Sequence, residues 1–182
     1  MIRIIPTAIE DVKIIEPVVF KDDRGYFFEA WSQRVFDENV TPIKFVQDNE
    51  SLSSYGVIRG LHFQRGIYAQ SKLVSVVAGA VLDVAVDIRK GSPTFGKHIA
   101  VELSGENHRQ LFIPRGFAHG FSVLSEKAIF RYKCDGYYNP ESEGGILFND
   151  PDLNIDWKIP QKDRIISPKD IKWPVLSKVE TY

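Results

Sequence analysis

The chain has 182 residues, 43% of them apolar, which suffices for one domain with a real core and excludes a disordered chain. Lys plus Arg total 23 against 24 Asp plus Glu, a formal net charge of -1, so no basic surplus marks a nucleic-acid binder. Cys134 stands alone and excludes an internal disulfide; with no apolar leader after Met1 and no membrane-length run, the expectation is a cytoplasmic protein without a membrane partner.

In chain order, loose alternation over residues 14–20 predicts extended structure that turns at Lys21-Asp22-Asp23-Arg24-Gly25. Residues 31–36 read as a short helix with Ser32 as its N-cap. Residues 56–64 start as an apolar strand, yet carry Arg59, Gly60 and His62 where a buried strand repeats branched aliphatics. Runs at 73–77, 81–88, 99–103, 110–113, 120–124 and 128–134 are short and rich in β-branched or aromatic residues. Turns such as Lys90-Gly91-Ser92-Pro93 and Ser104-Gly105-Glu106-Asn107 separate them, and this spacing predicts an all-β sandwich or barrel. In the run 81–88, Leu82, Val84, Val86 and Ile88 share one face while Asp83 and Asp87 share the other. Pro160, Pro168 and Pro174 break up the C-terminal part, where 163–166 or 168–171 can form one helical turn. The simplest organisation is one domain, 1–182, with a wrapped C-terminal arm.

Chemistry concentrates in a few residues. Of the four histidines, His98 and His108 flank turns and are expected to face solvent. His62 and His119 enter apolar strands, where a histidine is either a hydrogen-bonded interior residue or a functional one. A strand that binds metal offers ligands at i and i+2, but Gln64 follows His62 and Phe121 follows His119 at that spacing, which counts against a metal. Arg24, Arg59 and Lys72 adjoin apolar sequence; each is either a solvated edge charge or an anion contact, and a guanidinium can fork onto phosphate. Simple alternation places Arg59 and His62 on opposite faces, so a shared site requires a kink or bulge at Gly60. Tyr132, Tyr137 and Tyr138 are either sheet aromatics or a proton donor and a base-stacking surface. The following Glu141-Ser142-Glu143-Gly144-Gly145 reads as a loop.

Four motifs then occur in order: Gln47-Asp48-Asn49-Glu50-Ser51, the segment from Gly56 to Gln64, the segment from Ile113 to Phe121, and Tyr137-Tyr138-Asn139-Pro140-Glu141-Ser142-Glu143. Together they closely resemble the dTDP-4-dehydrorhamnose 3,5-epimerase family, over residues 20–173. The resemblance implies a cupin-type jelly roll with short peripheral helices, working as a homodimer without cofactor or metal on a dTDP-4-keto-6-deoxyhexose. It assigns His62 as general base with Asp170 as its carboxylate partner, Tyr132 as general acid, and Lys72 as the cation at the ketone oxygen. Arg24, Glu29, Gln47, Asp48, Asn49, Arg59, His119, Glu143 and Lys169 match substrate-binding positions, and Tyr138 matches the residue that stacks on thymine. Asp83 is a candidate second carboxylate near the imidazole. Leu52, Arg115 and Asp135-Gly136 depart from the family pattern. An epimerase inverting one carbon, a non-catalytic sugar-binding cupin and a metal-dependent cupin oxygenase are the competing readings. The N-terminal strand over residues 20–29 is a candidate to reach a partner's site.

Overall fold

A computed structural model describes residues 2–180. In chain order it contains β1 (Ile2–Pro6), β2 (Lys13–Pro17), β3 (Phe20–Asp22), β4 (Gly25–Phe27), α1 (Gln33–Asn39), β5 (Gln47–Ser54), β6 (Val57–Gln64) and β7 (Lys72–Ala78). There follow β8 (Ala80–Asp87), β9 (His98–Ser104), β10 (Gln110–Ile113), β11 (Phe117–Val123), β12 (Lys127–Cys134), β13 (Glu143–Gly145) and β14 (Ile165–Ile166). One sheet has the order β1-β2-β10-β7-β12-β5, and the other β13-β6-β11-β8-β9 with β14 added in parallel to β6. From β5 to β12 the chain passes back and forth between the sheets, except at the β8–β9 hairpin, which stays within one; this is the all-β sandwich expected from the spacing of strands and turns, in the jelly-roll form that the family resemblance implies.

Three apolar clusters hold these layers. The inner one lies between the sheets and contains Val74, Val81, Ala85, Leu111, Phe121 and Phe130. A second covers the outer face of the β6-β11-β8 sheet, where Leu82, Val84 and Val86 meet Ile146, Leu153, Trp157 and Leu176 of the C-terminal arm. Each such fully buried side chain contributes about 1.5–3 kcal/mol. The third docks α1 through Phe36 against Ile15, Leu73 and Phe112. Seven residues are too few for a stable isolated helix, so this docking supplies its stability.

Several sequence expectations are corrected. Ser32 caps α1, its hydroxyl accepting from the Val35 N–H, but the helix runs to Asn39. It stops before Thr41, which Pro42 bars from helical geometry. Residues 165–166 form a strand, because Ile165 and Ile166 pair with Val57 and Ile58; the helical turns nearby are Gln161–Asp163 and Asp170–Lys172. The glycine pair after the tyrosines is strand β13, not loop. The carboxylate face of β8 is not a solvent face: Asp83 and Asp87 are fully buried on the side that faces the barrel interior. His98 is half-buried, and His108 packs against the rings of Tyr26 and Phe28 at 4.7 and 4.8 Å.

Candidate active site

The site begins with an irregularity in β6. His62 lies opposite His119, but Arg59 lies opposite Phe121, so three steps on β6 match two on β11. That is a bulge with one extra residue. Gly60 has φ +131°, a conformation that side chains disfavour. A Cβ on Gly60 would stand 2.5 Å from the Gly120 Cα, and one on Gly120 would stand 2.7 Å from the Arg59 carbonyl oxygen. Both glycines are therefore required by the close strand approach. The departure from alternation is present at the expected place, and Arg59 and His62 line the same cavity of about 620 Å³.

Two histidine–carboxylate pairs stand on this wall. His62 Nε2 meets Asp170 Oδ1 at 2.6 Å, and Asp170 is buried at the start of its 3-10 turn. Burial alone raises the Asp170 pKa, but the hydrogen bond and charge of His62, with backbone support from Gly60, hold it below the usual carboxylate value. An ionised Asp170 accepts the Nε2–H, which leaves the Nδ1 lone pair of His62 to act as a base. The second pair is His119 Nε2 with Asp83 Oδ2 at 2.9 Å. Asp83 therefore serves the other imidazole, not His62. Burial lowers the His119 pKa more than Asp83 raises it, so this ring is neutral at neutral pH. The other Asp83 oxygen is buried and unpaired.

The opposite wall comes from the other sheet. Alternation on β12 places Tyr132 on the same inward face as Phe130 and Cys134. Lys72, opposite Cys134 on β7, carries its ammonium 5.8 Å from the centre of the Tyr132 ring. Burial raises the Tyr132 pKa and keeps the phenol protonated, while the Arg59 charge favours the phenolate. Burial lowers the Lys72 pKa. The Cys134 thiol is itself pushed up to about 11 and is neutral at pH 7, so the Asp83 and Glu143 carboxylates are what support the ammonium.

A second cavity, about 370 Å³, shares Asn49, His62, Lys72 and Tyr132 with the first and extends to Gln47, Tyr138 and Glu143. The two together form a cleft of the size that takes a small organic ligand. At this end Glu143 accepts from the Tyr138 hydroxyl at 2.8 Å and from Lys169 Nζ at 2.5 Å. Tyr138 also borders an open hollow lined by Tyr68, Arg115 and Tyr137. Arg115 and Asp135, two of the departures from the family pattern, bond each other at 2.9 Å.

Three expected site residues are not brought to the cleft of this chain. Asp48 points to the outer side of its strand, between the inward Gln47 and Asn49, and pairs with Lys133 at 2.9 Å. Arg24 pairs with Asp22 at the exposed tip of the β3–β4 hairpin, and Glu29 lies beside Trp31 and Phe36 at another hollow. The structure assigns the candidate Asp83 to His119 and adds Trp173 beside His62, at 6.4 Å between ring centres. Among the described residues, no group of three or more His, Cys, Asp or Glu side chains is arranged to hold a metal ion. Nor is any helix there long and apolar enough to cross a membrane.

Comparison with known proteins places this cleft in a family. A family model described as dTDP-4-dehydrorhamnose 3,5-epimerase matches residues 6–178. The dTDP-4-dehydrorhamnose 3,5-epimerase of Escherichia coli K12 is 57% identical over 170 residues, 92% of this chain and 91% of that protein. That of Salmonella typhimurium LT2 is 55% identical over 97% of this chain and 96% of its own length. A crystal structure of the Legionella pneumophila enzyme in complex with dTDP-4-keto-L-rhamnose superposes with a TM-score of 0.95 at 51% identity, covering 99% of this chain and 95% of that one. The sheets, the cleft and this similarity along nearly the whole length agree: the chain belongs to the dTDP-4-dehydrorhamnose 3,5-epimerase family.

Proposed function

We propose that this chain inverts carbons 3 and 5 of dTDP-4-dehydro-6-deoxy-D-glucose, giving dTDP-4-dehydro-L-rhamnose. The observation that supports the mechanism most is that His62 and Tyr132 project from opposing sheets into one cavity. The ketone acidifies the hydrogen on each flanking carbon. His62 takes that proton through Nδ1, the C–H bond breaks, and its electron pair moves to the ketone oxygen as an enolate. Asp170 stabilises the imidazolium so formed. Lys72 stabilises the enolate oxygen, a role worth a few kcal/mol in a water-poor site. Tyr132 then delivers a proton to the opposite face of the carbon, which inverts it. His62 returns its proton to solvent and Tyr132 regains one, so the cycle can repeat at the second carbon.

The remaining residues bind. Arg59 faces the diphosphate, His119 and Asn49 the sugar, and Tyr138 the thymine, with Gln47, Glu143 and Lys169 around the nucleotide end. No cofactor is needed, because proton transfer leaves the oxidation state unchanged. Borohydride trapping of the product, followed by sugar analysis, tests the reading. Recovery of L-rhamnose and its C4 epimer is expected; sugars inverted at one carbon only would replace it by a single-site epimerase. Replacing Tyr138 with Ala should weaken nucleotide-sugar binding by about 1–3 kcal/mol, the value of stacking on a base. Calorimetry giving an unchanged affinity would remove that role.

We also infer a homodimer. The β3–β4 hairpin exposes Phe20 by 59% and Phe27 by 71%, and among the described residues β5 ends its sheet without a further strand. A two-fold partner covering both gives these surfaces a use and gives Arg24 and Glu29 a cleft to enter. Sedimentation should give a dimer, and a stable monomer with full activity would contradict it.

A further inference from the structure

Trp173 directly follows the 3-10 turn Asp170–Lys172. Its indole lies flat on Gly145: a Cβ there would come within 2.4–2.5 Å of the ring atoms Cδ2, Cε2 and Nε1. Gly145 is the cross-strand partner of His62. The indole also meets the imidazole itself, with ring planes 67° apart, and carries the Lys169 ammonium 5.8 Å from its centre. Gly144 does the same on its own side, where a Cβ would stand 2.5 Å from the Phe63 ring. Two glycines in a strand weaken it, and here each is the only residue that leaves room for an aromatic ring.

The indole N–H is buried and has no hydrogen-bond partner. A buried indole N–H normally finds one, and going without costs stability. The other supports of Asp170 are local or long: its N–H bonds Ser167, and its Oδ2 accepts from the Gly60 N–H at 3.4 Å. Beyond the ring, the Pro174 carbonyl accepts from the Leu147 N–H at 2.9 Å and ties the chain down.

We propose that Trp173 is a positioning residue: wedged between Gly145 and the His62 edge, it seats the turn that presents Asp170 to His62. The proposal rests on the reading of His62 as the base. Its action is indirect, since a carboxylate displaced by about 1 Å no longer holds the imidazole in its reactive orientation, and such misplacements cost on the order of 10²-fold in rate.

The test compares Trp173→Ala, Trp173→Phe and Gly145→Ala with the wild type. Three quantities are measured: solvent-deuterium exchange into saturating nucleotide ketosugar, affinity for that sugar, and the low-field proton resonance of the His62–Asp170 hydrogen bond. Trp173→Ala should slow exchange by about 10–10²-fold, lose the resonance and keep its affinity. Trp173→Phe should retain both exchange and resonance. Gly145→Ala keeps the indole but pushes it off its seat, so it should behave like Trp173→Ala; if Trp173→Ala fails to fold, this variant decides. Wild-type exchange in the variants, loss through affinity alone, or a resonance that persists while exchange falls would each overturn the proposal. A wild type that exchanges no deuterium would instead refute the base assignment beneath it.

Discussion

With Asn in place of His62, proton exchange beside the ketone is expected to fall by about 10²–10⁴-fold, the contribution of a positioned base. The amide has no basic nitrogen, so neither carbon can lose its proton. The substitution also removes the partner of a buried carboxylate. The Asp170 carboxylate retains the Gly60 N–H, and its own backbone N–H still bonds the Ser167 hydroxyl, so the fold should survive with a loss of about 1–3 kcal/mol for the vacated oxygen. Nucleotide-sugar affinity should change little, because Arg59, Tyr138 and Lys169 are untouched. Turnover within a few-fold of wild type, measured on folded protein, would remove His62 from its role.

Tyr132→Phe should separate two events that the wild type couples. Inversion is expected to drop by about 10²-fold or more, since the acid on that face is gone. Exchange should survive better, because His62 still removes and returns a proton on its own side. The phenyl ring can keep the packing against Phe130, 6.0 Å away, so the fold has little reason to change. The comparison needs both rates on one sample: label appearing in sugar of unchanged configuration is the expected signature. Equal loss of exchange and inversion would argue against a separate acid.

The parts of the fold that are locally encoded are the parts legible from the residues. Strands β7 to β12 announce themselves through β-branched runs and turn chemistry, and α1 through Ser32. The bulge at Gly60 follows from parity once Arg59 and His62 are required to share a site, since regular alternation would put them on opposite faces. Strands defined by their partners are a different case. Gly144-Gly145 carries no strand signal of its own and Ile165-Ile166 is too short a β-branched pair to read as one; both extend because β6 supplies the hydrogen bonds. Strand β5 hides because its inward residues, Gln47, Asn49 and Ser51, are polar, as cavity-lining positions must be. Long-range pairing is the least legible. Asp170 lies 108 residues from His62, and only the family resemblance joined them. For Asp83 the alternation gave the face correctly, but not that the face is interior or that His119 is its partner. Trp173 gave no signal at all, because its role depends on a glycine in another strand.

The most direct test incubates the protein with dTDP-4-dehydro-6-deoxy-D-glucose in deuterated water and locates the label by NMR. Deuterium at both carbons flanking the ketone, absent when His62 is replaced, is the expected result. Label at one carbon only, or none, would contradict a double epimerase built on this cleft.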